Sequence, residues 1–273
     1  MRKVFTICLF FQIIPGFSRS ESISEDSIRV VSGEMKSDRP GHVTCAQTCG
    51  FHILQMQSGF RFQRYTYSPF PNDQSYTHHA IIPASIKFGL TNTLELNVNY
   101  TNYRTKWYDQ WTDATYIGKG SPGPIAGVRY TFLKGHKWVP ALALQAGIRY
   151  KSPKIDLGFG SEFILATRSD FGKLDVSTSI GLVWWGWDTW QYHKVPNYIP
   201  YAVKVSYDFG KVTGFIESFG DLTWPDLAID GGIAVTIGRD LVLDFSGGCA
   251  EGIVISEYWF AEAGFTYRYN FSK

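Results

Sequence analysis

Several groups of residues in this 273-residue chain have types and spacings that chemistry could use. Asp170-Phe171-Gly172 and its copy Asp208-Phe209-Gly210 match the metal-binding triplet of kinases. No glycine-rich loop, strand lysine or catalytic-loop motif accompanies either copy, and both sit where a hairpin must turn, so phosphoryl transfer is set aside. Cys45 and Cys49, in C-A-Q-T-C, are spaced for a metal pair or a local disulfide. No histidine or second cysteine pair stands at zinc spacing, so no metal site is expected. An N-terminal export signal points to an oxidising compartment and hence to a Cys45–Cys49 bridge, with two free thiols as the alternative. His78 and His79 are adjacent and read as surface histidines of a long loop, because neighbours on extended chain point apart and chelate poorly. Trp184-Trp185-Gly186-Trp187-Asp188-Thr189-Trp190 could stack a sugar or an aromatic ligand, or serve as membrane girdle. No histidine falls mid-strand on an apolar face where it could act as base for a serine, so no catalytic residue is assigned.

The largest set is ionic. Arg61, Lys87, Arg129, Arg149, Lys204 and Arg268 fall on the same predicted faces as Glu95, Glu162, Asp175, Asp208, Glu217, Asp230, Asp244 and Glu262. Such a set can form a mixed-charge constriction that selects small solutes, or a salt-bridged filling that stiffens a narrow barrel.

Positioning them requires strands. In the closing stretch E-A-G-F-T-Y-R-Y-N-F, Ala263, Phe265, Tyr267, Tyr269 and Phe271 fall on one face, and Glu262, Gly264, Thr266, Arg268 and Asn270 on the other. Side chains alternate across a strand, so one face is apolar and aromatic and the other polar. The pattern recurs in twelve stretches: 52–64, 80–88, 94–106, 124–133, 139–150, 159–168, 174–185, 198–208, 212–220, 228–237, 241–249 and 258–271. Their lengths suit tilted strands crossing a bilayer and exceed the five or six residues common in soluble sheets. Short turns alternate with long connections (65–79, 107–123, 151–158, 186–197, 221–227, 250–257), the sidedness of an outer-membrane barrel. Most tryptophans sit near the long connections; Phe88, Phe132, Phe171, Tyr207, Phe209, Tyr269 and Phe271 gather at the short turns. Since no open sheet edge survives in hydrocarbon, the expected fold is all-β: a closed 12-stranded antiparallel transmembrane β-barrel.

Composition agrees. Aromatics make up 16% of the chain, and mean hydropathy is slightly negative, as when a lipid-facing wall is hidden in alternation. Residues 1–20 read as a signal peptide: Arg2 and Lys3, an apolar stretch from Val4 to Ile14, a Pro15-Gly16 break, and cleavage after Ser18 or Ser20. Residues 21–51 are expected to be a periplasmic lead-in, and 52–271 the barrel. Without residues 1–20, 23 basic residues face 24 acidic ones, which gives no basic surface for nucleic acid.

The chain from about Asp38 to Phe271 resembles the outer-membrane barrel family of transporters associated with the phenol-degradation meta pathway. The resemblance is carried by Asp38-Arg39-Pro40-Gly41, Gln57-Ser58-Gly59-Phe60, Phe88-Gly89-Leu90-Thr91 followed by Leu94-Glu95-Leu96, Gly127-Val128-Arg129-Tyr130, Pro140-Ala141-Leu142-Ala143-Leu144, Glu217, Asp230-Gly231-Gly232 and Leu243-Asp244. Glu262, Gly264, Tyr267 and Tyr269 resemble the C-terminal signal read by the barrel-assembly machinery. Here Ser272-Lys273 follow the last aromatic, and Cys45 and Cys49 also depart from the family pattern. The resemblance implies a passive, cofactor-free outer-membrane transporter of small molecules, hydrophobic or aromatic ones included, with lipid, the assembly machinery and the solute as partners. The alternatives are a structural or ligand-binding barrel with a plugged lumen and, behind it, a lipid hydrolase.

Replacing Tyr267 and Tyr269 together with Ala is expected to reduce the heat-modifiable, folded fraction in membranes severalfold. Assembly at the wild-type level would remove the closing strand's special role.

Overall fold

The computed structural model describes residues 35–271 apart from 36, 40, 68–74, 137–138, 151–158, 185–197, 224–225 and 252–254. The signal peptide, most of the lead-in, and Trp138, Trp185, Trp187, Trp190 and Trp224 therefore lie outside the described residues, as does the stacking platform beyond Trp184.

Among the described residues, period-two alternation becomes thirteen strands: β1 (Ile53–Tyr67), β2 (Tyr76–Gly89), β3 (Leu94–Asp109), β4 (Ala114–Gly120), β5 (Ile125–His136), β6 (Val139–Arg149), β7 (Gly160–Phe171), β8 (Leu174–Trp184), β9 (Pro200–Asp208), β10 (Val212–Asp221), β11 (Asp226–Ile237), β12 (Leu241–Glu251) and β13 (Ile255–Asn270). Each of the twelve expected strands is present within a few residues. All pairings are antiparallel. The ring shuts because β1 bonds to both β2 and β13 while β2 bonds to β3. The closing seam runs from Ile53↔Asn270 to Tyr65↔Tyr258 without a slip and places Arg61 opposite Glu262.

β4 is a correction. Residues 107–123 were expected to be loop, but β3 runs on past the ring and Ala114–Gly120 folds back along its Tyr103–Asp109 end. Asp109 holds the turn, accepting from the Trp111 amide at 2.9 Å and the Thr112 hydroxyl at 3.0 Å. Trp107 packs on Tyr116 across the pair, with ring centroids 5.2 Å apart. His78 and His79 are a second correction: they lie on β2, which starts four residues earlier than expected. His79 faces inward, 2.6 Å from the Tyr65 hydroxyl and 3.0 Å from that of Thr105, while His78 packs among Phe62 and Tyr76.

The outer wall exposes what a soluble core would hide. Phe60, Ile86, Leu96, Phe132, Ile148, Ile180, Ile216 and Phe245, from eight different strands, are all exposed. Their sequence neighbours Lys87, Glu95, Thr131, Glu217 and Asp244 are buried. Such a wall is stable only against hydrocarbon, so the ring is a membrane-spanning barrel. Both D-F-G triplets are tight turns. Gly172 (φ 84°) and Gly210 (φ 103°) take the left-handed backbone that glycine tolerates, and each donates its amide to the aspartate two residues back.

Candidate functional site

The lumen is not empty. Residues 35–51 have no apolar period with which to join a sheet, and they run through the ring instead of preceding it. Their backbone donors are satisfied largely by wall side chains. The amides of His42 and Val43 both donate to Glu217 at 2.6 Å, that of Thr44 to the Ser179 hydroxyl at 3.3 Å, and that of Cys49 to Glu95 at 2.8 Å. The Ala46 carbonyl accepts from Thr131 at 2.9 Å. Ala46 is fully buried against Ala141, Ala143 and Ala166. The A-L-A-L run of β6 thus turns its small side chains to this plug, while Leu142 and Leu144 lie on the outward face.

Ion pairs fix the plug further. Arg39 bonds to Asp244 at 2.8 and 3.2 Å and to Glu262 at 2.5 Å, and Glu262 also takes Arg61 at 2.5 Å. Room for the Arg39 guanidinium comes from Gly59 and Gly264, which face each other across the seam. A Cβ on Gly264 would stand 2.1 Å from Arg39 Nη2 and 2.6 Å from the Ser58 carbonyl. Asp38 pairs with Lys87 and, at 2.9 Å, with Arg129. Burial alone would raise the Asp38 carboxyl, but Arg129 and Lys87 outweigh it and hold the group well below the usual carboxylate range. Arg129 also lies 3.5 Å from Glu95 and 2.7 Å from Gln145, whose amide reaches Glu162 at 3.2 Å.

Of the residues predicted for the lumen, Arg61, Lys87, Glu95, Arg129, Glu162, Asp244 and Glu262 enter this network. Asp175 pairs with Arg168, which also bonds to Gln47 of the plug at 2.9 Å. Glu217 anchors the plug backbone, with Asp230 beside it on β11. Lys204 stands opposite Glu217 on β9, its ammonium 5.9 Å from the Phe215 ring. Arg149 closes the far end of β6. Arg268 and Asp208 stay at the short turns. Arg268 reaches Asp240 at 3.5 Å and the Arg239 carbonyl at 2.8 Å. The expectations missed Asp38, Arg39, His42 and Arg168. Arg168 was findable, two turns of the alternation beyond Ile164 and in phase with Glu162. The plug residues carry no period and were not.

The expected Cys45–Cys49 bridge is not formed, and both are free thiols. The Cys45 amide is held by Asp38 and the Cys49 amide by Glu95, while the Cys49 sulfur turns towards the Ile53 carbonyl at 3.4 Å. Burial, with Glu95 alongside, pushes the Cys49 thiol up to about 12, so it is not a reactive thiolate.

Described residues line two cavities. One, of about 390 Å³, is lined by His42, Thr44, Tyr198, Tyr201, Phe219 and Tyr258; the other, of about 380 Å³, by Asp38, Arg39, Gln57, Ile81, Pro83 and Tyr100. Arg61 borders both.

A closed ring of twelve strands with an apolar outside and a charged, partly filled inside has the fold of outer-membrane β-barrels. Among solved structures, the chain is similar to an outer-membrane channel from Pseudomonas putida F1, with a TM-score of 0.59 and 7% identity over 82% of this chain and 98% of the other. It is also similar to the transport unit of the autotransporter AIDA-I from Escherichia coli, with a TM-score of 0.53 and 14% identity over 79% and 90%. At such identities the likeness is one of fold. No protein-family model and no curated protein matches the chain.

Arg39→Ala leaves Asp244 buried without its guanidinium. The expected cost is about 3 kcal/mol of unfolding free energy, less where lumen water enters, read from urea unfolding in detergent. Gly264→Val should destabilise in the same direction by displacing the same side chain. For Asp38, a depressed carboxyl stabilises the fold above its unfolded value near about 4, and that stability is lost as pH falls through the folded value. The difference in melting temperature between wild type and Asp38→Asn should therefore be constant from about pH 8 to 5 and shrink below about pH 4.

Proposed function

We propose that the chain is an outer-membrane channel that passes small molecules down their gradient through a lumen narrowed by residues 35–51. The observation that supports this most directly is the pair of cavities inside the ring, separated at Arg61 and each of a size to hold a small organic molecule. The first cavity presents Tyr198, Phe219 and Tyr258, which favours solutes with an apolar or aromatic body. The resemblance to the phenol-pathway transporters points the same way. In this reading the apolar wall meets lipid of the outer membrane, the aromatic closing strand is read by the assembly machinery, and no covalent step or cofactor is needed.

A second reading has an observation of its own. The plug is held by buried ion pairs to β2, β5, β12 and β13, which suits a sealed, structural barrel.

Liposome swelling with graded solutes separates the two. The channel reading expects flux of small solutes through wild type, faster flux in Arg61→Ala, and a severalfold higher size limit when residues 36–50 are deleted. A wild-type barrel that folds but passes nothing, and conducts only after the deletion, supports the sealed barrel instead.

A further inference from the structure

One cluster in the lumen keeps buried polar atoms with no hydrogen-bond partner among the described residues. His42 of the plug, Glu217 of β10 and Asp230 of β11 each offer a ligand atom, and these atoms all lie within 4.8 Å of one another. His42 Nδ1 is 3.5 Å from Glu217 Oε2 and 3.8 Å from Asp230 Oδ2. The register places Glu217 directly across from Asp230, and both side chains are fully buried. Among the described residues, neither carboxylate oxygen of Asp230, nor His42 Nδ1, has a hydrogen-bond partner. The neighbouring wall carboxylates differ: Glu95, Asp244 and Glu262 each have an arginine within 3.5 Å. Lys204 and Arg61 bring positive charge nearby without bonding to Asp230, Arg61 being engaged with Glu262. Two adjacent buried carboxylates and an unpartnered imidazole nitrogen are an unfavourable arrangement unless a cation joins them.

We propose that His42, Glu217 and Asp230 bind a divalent transition-metal cation of the zinc type, which clasps the plug to the wall. The charge fits, two carboxylates against a doubly charged ion. The donor set fits, since imidazole suits zinc and its neighbours, whereas calcium takes six or more oxygens and magnesium keeps several waters in an octahedral shell. The spacing also fits. Ligand atoms about 2.1 Å from a tetrahedral ion stand about 3.4 Å apart, close to the two separations that His42 makes. Two of the three ligands are already oriented: Glu217 by the amides of His42 and Val43, and the imidazole by stacking on Phe219 at 3.6 Å. His42 also borders the aromatic cavity, from which water can complete the shell.

The inference stands apart from transport and is read by binding. The full chain, refolded in detergent and stripped with a chelator, is titrated calorimetrically with zinc chloride, and retained zinc is counted by elemental analysis after gel filtration. The expected result is one zinc per folded chain, unmoved by excess magnesium or calcium, with affinity reduced at least tenfold in His42→Ala and in Asp230→Asn. Zinc should also raise the melting temperature of wild type but not of His42→Ala. Should Asp230→Asn fail to fold, His42→Ala decides alone, because His42 lies outside the strands of the wall. Absence of zinc binding to folded wild type overturns the site, as does binding that survives both substitutions, which would belong to cysteines or histidines elsewhere.

Discussion

Charge placed inside a ring must find a partner inside the same ring. The outer wall faces hydrocarbon and offers none, and water reaches only part of a lumen this narrow. The described residues meet this demand from two sources. Some carboxylates pair with arginines of neighbouring strands, as Glu262 does with Arg61. Others are met by the plug, through guanidinium in the case of Asp244 and through backbone amides in the case of Glu217. The plug has the reciprocal need, since its amides have no sheet to join. Wall and plug are therefore complements, and neither is satisfied alone.

The wall's plain-looking residues serve the same end. Alanines 141, 143 and 166 are small where Ala46 comes close, and glycines 59 and 264 leave a gap where Arg39 lies flat. On the outward face of the same strands the side chains are large. Bulk and charge are thus sorted by parity: large and apolar towards lipid, small or ionic towards the plug.

This sorting explains what could be read from the chain beforehand. Strand number, closure and the inward set were legible because each rests on a period of two, and an error of one residue would have turned Lys87 or Glu95 into lipid. β4 escaped because it lies beyond the ring, where neither face is committed to lipid and the alternation fades. His79 escaped because β2 begins four residues before its expected start, in a stretch read as loop. The plug escaped for a deeper reason. Its residues carry no repeat, and Asp38-Arg39-Pro40-Gly41 looks the same as a turn or as two ions aimed at distant partners. Only the three-dimensional positions of Lys87, Arg129, Asp244 and Glu262 give those two side chains a meaning. The cysteine pair shows the converse: C-A-Q-T-C is close enough for a bridge, yet Asp38 and Glu95 hold the two amides to different places.

The filling segment runs directly into β1, and β1 pairs with β13, the last strand to emerge from the chain. The peptide that occupies the lumen is thus tethered to the very seam that seals it. If the strands from β2 to β13 zip first, the ring still has an open side through which β1 can bring the plug as it docks. In that order of assembly no segment is threaded into a finished cylinder, and sealing and filling are a single late event. The slow step in maturation should then belong to this seam, where contacts between the two ends of the sequence are the most distant in the molecule.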